Sequence, residues 1–304
     1  MSHTSSTRNA ALEEVEINGV QNDNRTNDSR AVLTIGIRDS GVGGLTVARC
    51  IREAFPHARI LYFADTIHVP YGGRAAGQIR HFALSIADFL VSQGAQIVVF
   101  ACNSSSAVAL EAARETLAVP IVGTIEPGAR AAVAQTQNNR VGVLATQATV
   151  ESAVYSQHIG ALNSEIRVLE IACPRFVPLV ETEKTESESA REAAREYLRP
   201  LVDFGVDTIV LGCTHYPLLL PVLQRAAREL SAPNLQFVDP AQAVAAAVQQ
   251  NVVDLNVHRG SDFSTPTHVE DDVFFVSGES DGVRHWIQSL LKVGEPNIQK
   301  GPVF

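Results

Sequence analysis

The sequence predicts an α/β protein of two similar lobes, each a mostly parallel sheet flanked by helices, with a cleft between them. Three observations carry that reading. Short apolar runs rich in Val and Ile alternate with longer stretches of helical character, the pattern of sheets buried on both faces. There are nine such runs, more than one small domain holds comfortably. Two segments also share one layout: QIVVFACNSSSAVAL (96–110) and DTIVLGCTHYPLLL (207–220) each read as a buried strand, a small residue, a cysteine, a polar pair and a helix start.

In chain order, residues 1 to about 30 are polar and aperiodic and read as a disordered extension. Strands are expected at 32–37, 59–64, 96–101, 119–123, 140–145, 166–172, 207–212, 235–238 and 273–277. Helical stretches lie between them, notably 75–93, 106–117 and 187–204. The last shows the local logic. Glu188 with Arg191, and Glu192 with Arg195, stand three residues apart on its exposed face. Leu198, Leu201 and Val202 supply apolar contacts near its end, and Gly205 stops it.

Composition narrows the function. Of the 304 residues 45% are hydrophobic, enough to fill the cores of two ordinary α/β domains. A net charge of −9 argues against a nucleic-acid surface, which needs a basic stripe, but leaves a small anionic substrate open. No apolar run approaches the roughly 20 residues that span a bilayer, and no basic segment precedes an apolar one at the N-terminus. A cytoplasmic protein is expected. Cys50, Cys102, Cys173 and Cys213 are widely spaced without a CxxC, so they do not form a disulfide framework. The only lysines are Lys184, Lys292 and Lys300, and none is expected at a strand end in a Gly-rich context. That argues against a pyridoxal phosphate enzyme, which needs a placed Schiff-base lysine.

The residues that can carry chemistry cluster after strands. Cys102 and Cys213 each follow a strand and precede a helix, where α/β folds bind ligands and a helix N-terminus favours thiolate. One such cysteine alone is more often packing; two in matched settings point to function. Asn103, Ser104 and Thr214 can cap the helices or bond a ligand. His215 can relay protons to Cys213 or hold it as thiolate, the rival being a Cys-x-His metal site for which no further ligand spacing is present. Pro217 suits a first helical position, leaving Cys-Thr-His on an exposed turn. Asp39 ends the first strand and opens DSGVGGLTV (39–47), whose Gly41, Gly43 and Gly44 would let backbone amides approach a carboxylate or phosphate. The turn lacks the Lys-Ser/Thr of a Walker A loop, and its third Gly is misplaced for a dinucleotide. PYGG (70–73) reads as a turn in which Tyr71 presents its hydroxyl or backbone to a ligand, or as a plain turn. Glu181 ends the apolar segment FVPLVE beside a solvated acidic run, and Cys50 and Cys173 are assigned to packing.

Together DSGVGGLTV, DTIHVPYG (65–72), ACNSSSA (101–107), CPRFVPLVE (173–181) and GCTHYPLL (212–219) resemble glutamate racemase, within the wider aspartate/glutamate racemase superfamily, from about residue 33 to about 285. The resemblance implies two pseudosymmetric lobes, residues 31–125 with 237–304 and residues 126–236, the second inserted in the first. It implies an isomerase that interconverts L- and D-glutamate without cofactor or metal, supplies D-glutamate for peptidoglycan, and works as a homodimer. By the same resemblance Cys102 and Cys213 are the catalytic thiols, with Cys102 acting on D-glutamate and Cys213 on L-glutamate. Asp39 and His215 are their acid/base partners, and Glu181 is a further assisting acid. The substrate-contacting pairs are Asp39 with Ser40, Tyr71 with Gly72, Asn103 with Ser104, and Thr214 with His215. Two positions depart from the pattern: Ser104 stands where Thr is usual, and Arg38 where an apolar residue is usual. The alternatives are an aspartate racemase or another superfamily member on the same scaffold, and a two-lobed amino-acid binding protein without chemistry.

Overall fold

The computed structural model of the chain describes residues 32–259 and 271–304, without the side chains of 256–259. The extension expected at 1–30 lies outside the described residues.

The chain runs through β1 (Thr34–Asp39), α1 (Leu45–Ala54), β2 (Arg59–Ala64), α2 (Ala76–Ser92), β3 (Ile97–Phe100), α3 (Asn103–Thr116) and β4 (Ile121–Gly123). It crosses over into α4 (Ile125–Gln135), β5 (Arg140–Ala145), α5 (Gln147–Ser152), α6 (Val154–Leu162), β6 (Arg167–Ala172), α7 (Phe176–Glu181), α8 (Glu188–Phe204), β7 (Thr208–Gly212), a 3-10 turn at Tyr216–Leu219, α9 (Leu220–Glu229) and β8 (Gln236–Val238). It returns through α10 (Ala241–Arg259), β9 (Val273–Val276), α11 (Asp281–Leu291) and β10 (Ile298–Lys300). One sheet has the order β10-β9-β2-β1-β3-β4 and the other β6-β5-β7-β8. The pairings are parallel, as strand–helix alternation requires.

Period-two alternation explains both cores. On one face of the first sheet, Ile35, Ile37, Ile60, Tyr62, Ile97 and Val99 pack against α1, α10 and α11. On the other, Leu61, Phe63, Val98 and Phe100 meet α2 and α3. The second sheet sends Val141, Val143 and Val210 to α4 and α6, and Leu144, Ile209 and Leu211 to α7, α8 and α9. The same alternation sends Asp39 and Arg38, neighbours at the end of β1, to opposite faces.

All nine expected strands are present, and the tenth, β10, was not expected. It has three residues, Ile-Gln-Lys, too short and polar to stand out, and it lies at the sheet edge. Helix α3 begins at Asn103 rather than 106, because the serines that read as a turn are spent on backbone carbonyls: Ser105 donates to Cys102 (2.9 Å) and Ser106 to Phe100 (2.9 Å). On α8 the Glu188–Arg191 pair forms, but Arg195 turns to Glu188 and Glu229 instead of Glu192.

Gly205 caps α8 at φ +79°, and a Cβ there would lie 2.7 Å from a terminal nitrogen of Arg140. A left-handed conformation costs a non-glycine residue roughly 1–2 kcal/mol. Gly205→Ala should therefore lower unfolding stability by about that much in urea titrations, with no loss of native secondary structure.

Candidate active site

Parallel sheets gather their strand ends on one edge. In the first sheet Asp39 ends β1, Asp65 follows β2 and Cys102 follows β3; in the second Thr146 follows β5, Cys173 follows β6 and Cys213 follows β7. The two edges face one another and touch. Thr214 donates to Asp39 (Oγ1 to Oδ1, 3.3 Å), the Ser104 and Thr146 hydroxyls lie 2.8 Å apart, and Tyr155 on α6 donates to the Asn103 side-chain oxygen (2.7 Å). The Ala148 amide donates to the Gly72 carbonyl (3.0 Å).

The Gly-rich turn between β1 and α1, expected as a ligand cradle, lies close against side chains of the opposite lobe. A Cβ on Gly43 would lie 2.5 Å from His215 Nδ1 and 2.5 Å from Thr214 Oγ1, and one on Gly41 would lie 2.6 Å from Glu181 Oε1. The glycines admit groups of the opposite lobe. The Gly41 amide is bound to Asp39 Oδ2 (3.0 Å).

On the second-sheet side, the Cys213 thiol lies 3.8 Å from His215 Nδ1, and His215 Nε2 lies 2.6 Å from Glu181 Oε1. The Cys-Thr-His turn is not exposed as expected: Cys213 is 6% exposed and His215 1%. Nor does an α-helix follow directly, since the chain enters the 3-10 turn and α9 starts only at Leu220. Burial pushes the Cys213 thiol up, and His215 opposes the shift without cancelling it, so the expected helix-lowered thiol is not what this environment gives. Burial would lower His215, but its bonds to Cys213 and Glu181 outweigh that and hold it well above the ordinary imidazole range. Burial acts to raise Glu181, and the contact with His215 wins, holding it below the ordinary carboxyl value. Burial thus biases the thiol toward its protonated form, and the mutual contact biases His215 and Glu181 toward imidazolium and carboxylate.

On the first-sheet side, Cys102 is the residue immediately before α3, 5% exposed, packed with Tyr71, Ile79, Phe82 and Ala148. Asn103 and Ser104 do not cap the helix, being taken by Tyr155 and Thr146. The Tyr71 hydroxyl, one of the two groups expected to meet a ligand, is engaged within the protein. It donates to Asp65 (2.6 Å), accepts from Arg38 (3.2 Å), and burial raises it far from ionisation. Ser40 is buried next to Asp39. Burial pushes Asp39 up, while His215, the Gly41 amide and Arg38 pull against it. Asp65 gathers Tyr71, Ser277 (2.8 Å) and His68 (3.0 Å).

The structure thus brings Asp39, Cys213, Thr214, His215 and Glu181 into one bonded group, and places Cys102, Asn103, Ser104, Tyr71 and Gly72 along the same seam. Tyr155 and Thr146 are additions. Tyr155 lies inside a helix that carries no motif, while Thr146 had one detectable signal, its position at a strand end. Cys50 and Cys173 lie in the cores of the first and second sheets. Lys300 corrects an expectation, since it ends β10 just before Gly301; it is exposed on the edge strand. Among the described residues no group of three or more His, Cys, Asp or Glu converges as metal ligands would, and no helix is long and apolar enough to cross a membrane.

Residues 45–248 match the family described as Asp/Glu/Hydantoin racemase. A glutamate racemase of Desulforudis audaxviator is 43% identical over 256 residues, 83% of this chain and 91% of that protein. The crystal structure of a glutamate racemase isoform of Bacillus anthracis superposes with a TM-score of 0.81 at 30% identity, over 90% of this chain and 98% of its own. A glutamate racemase of Francisella tularensis solved with D-glutamate superposes with a TM-score of 0.78 at 27% identity, over 88% of this chain and 97% of its own.

The His215–Glu181 pair should leave a signature in stability against pH. His215 is raised, so its contribution is complete below the ordinary 6.5 and fades as pH rises through its elevated value. Glu181 is lowered, so its contribution is present above the ordinary 4.5 and fades as pH falls through its depressed value. The difference in melting temperature between the unsubstituted protein and Glu181→Gln should be greatest between those limits and shrink on both sides.

Proposed function

The chain belongs to the glutamate racemases of the Asp/Glu/hydantoin racemase family, which are isomerases, and from that premise we propose that it racemises glutamate by a two-base mechanism with Cys102 and Cys213 as the bases. The observation that carries this reading is the opposition of two cysteines, each at the carboxyl end of a central strand, across one seam between two sheets. Racemisation without a cofactor needs a base on one face of Cα and an acid on the other. The enantiomers present mirror-image faces, so two matched groups meet the requirement.

The steps follow from the groups present. One thiolate removes the Cα proton, negative charge moves onto the α-carboxylate, and the opposite thiol delivers its proton to the other face. Fixed donors in a drained seam stabilise the enolate-like transition state. The amide groups at the start of α3 are suited to the carboxylate. Cys213, its thiol pushed up by burial and set beside His215, is placed to give a proton; His215 and Glu181 hold the charge balance as it leaves. Asp39, bound to Thr214 and the Gly41 amide, is the assisting carboxylate on the other side. Ser40, Tyr71, Gly72, Asn103, Ser104 and Thr214 shape the substrate site. The D-glutamate bound by the Francisella relative favours glutamate over aspartate as substrate. The same reading has the two sheets as lobes of 31–125 with 237–304 and of 126–236, and the enzyme as a cytoplasmic, cofactor-independent homodimer that supplies D-glutamate for peptidoglycan. Those last features rest on family resemblance.

Incubation with L-glutamate in heavy water, without added cofactor or metal, should give D-glutamate deuterated at Cα. Cys102→Ala and Cys213→Ala should each abolish racemisation, and residual Cα exchange, where seen, should favour L-glutamate in Cys102→Ala and D-glutamate in Cys213→Ala. Racemisation persisting in either variant would defeat the two-thiol reading. Gly43→Ala pushes a methyl group into Thr214 and His215, and a displacement of about 1 Å at a reacting group costs on the order of a hundredfold. Its kcat/KM should fall by about that factor, with a circular dichroism spectrum like that of the unsubstituted protein.

A further inference from the structure

Each thiol has a different cationic neighbour. Cys213 has His215, a group that titrates. On the Cys102 side the cation is Arg38, at the end of β1, 0% exposed and facing α3 rather than the Asp39 face. One terminal nitrogen of Arg38 donates to the Ser105 hydroxyl, which in turn donates to the Cys102 carbonyl (2.9 Å). The other donates to the Tyr71 hydroxyl (3.2 Å), and Tyr71 packs against Cys102. The guanidinium carbon lies 5.3 Å from the centre of the Tyr71 ring and 5.6 Å from that of Phe100, two residues before Cys102. Nε has no hydrogen-bond partner among the described residues.

This is an unusual setting for a full charge. Removing a guanidinium from water costs several kcal/mol, and hydroxyl partners return less than a carboxylate would. Arginine does not escape by losing its proton. The charge must be balanced by the field of nearby anions. The titratable groups around it are Tyr71, Cys102, Asp39 and Asp65, and each raises Arg38 against the opposing effect of its burial. Tyr71 stays neutral, which leaves two carboxylates and one thiol.

We infer that Arg38 is a positioning residue for the reaction: a permanent positive charge buried behind Cys102 that favours its thiolate and makes the two thiols unequal at rest. The inference rests on the proposal that Cys102 exchanges a proton with substrate. Cys213 then waits as the acid beside an imidazolium, and Cys102 as the base beside a guanidinium. The resting enzyme is set for the enantiomer whose Cα proton faces Cys102. The titratable groups that act on Cys102 are Arg38 from β1, Tyr62 from β2, Tyr71 from the segment after β2, and, from the opposite lobe, Cys213 with its His215–Glu181 pair behind it.

The test reads the thiols directly. Iodoacetamide alkylation of Cys102 and Cys213 is followed by peptide mass spectrometry from about pH 5 to about pH 10, a range that spans ordinary thiol titration. In Arg38→Met the Cys102 profile should move up by about one to three pH units, the effect of one nearby opposite charge, while the Cys213 profile stays in place. Arg38→Lys keeps the charge and should restore most of the shift. An unmoved Cys102 profile in folded Arg38→Met, or equal movement at both thiols, overturns the inference. If Arg38→Met does not fold, Arg38→Gln decides: it keeps a donor for Ser105 and Tyr71 but not the charge, so the Cys102 profile should move up while that of Cys213 stays in place, and no shift overturns the inference. Racemisation surviving in Cys102→Ala would instead defeat the proposal about the thiol's role, without touching the alkylation result.

Discussion

The site depends on how closely the backbone of the β1–α1 turn can approach the loop after β7. At Gly43 there is no room for a single methyl group between the main chain and the side chains of Thr214 and His215. That contact brings the carboxyl edges of two separate sheets together. With it come the Asp39–Thr214 bond, the placing of Glu181 against His215, and the opposition of the two cysteines. The parallel register does the rest, because it delivers Asp39, Cys102 and Cys213 to strand ends with no further device.

Burial is the opposing force at every charged group here. It raises Asp39 and Cys213 and would discharge His215, and the outcome at each position depends on the partner supplied. His215 is held well above the ordinary imidazole range by Cys213 and by Glu181 at 2.6 Å, the latter a contact between a fully buried ring and a partly exposed carboxylate. Asp39 has a hydroxyl, an amide and two more distant cations, which reduce the effect of burial without reversing it. The two halves of the seam are similar in backbone but not in charge chemistry. A scaffold of two similar sheets thus gives its two cysteines different surroundings, His215 and Glu181 beside Cys213, and Tyr71 with the aromatic Phe82 beside Cys102.

Much of this was legible in the sequence because strand patterning and motif coincide. Val/Ile-rich runs placed nine strands, and the residues just past them are where Asp39, Cys102 and Cys213 sit. What was not legible is what depends on the other lobe. Tyr155 and Thr146 reach the seam from a different sheet, so no local pattern ties them to Asn103 and Ser104. The glycines of DSGVGGLTV read as ligand contacts, since sequence shows that space is needed but not what fills it. The turn at Cys213 read as exposed because polar residues at a turn usually are; here the opposing lobe covers them. Arg38 stood out as a departure from an apolar position, and only its partners Ser105 and Tyr71 show that the departure lies against Cys102.

The closed seam has a consequence for turnover. Both thiols are nearly inaccessible, and the cavity reaching Cys213 and Asn103 is only about 10 Å³, against roughly 300–1,000 Å³ for small-molecule sites. If glutamate binds between the two thiols, as proposed above, the lobes must part to admit it. The side-chain bonds that would break are few: Thr214 to Asp39, Ser104 to Thr146, Tyr155 to Asn103 and the Val42 amide to Glu181. Each contributes a net of about 1 kcal/mol, since water replaces the lost partner on opening. The chain crosses between the sheets at only two places, after β4 and after β8, so the motion needs no strand to leave its sheet. On that reading closure would restore the dry surroundings in which His215, Glu181 and Asp39 act most strongly on charge, with substrate in place of the self-contacts.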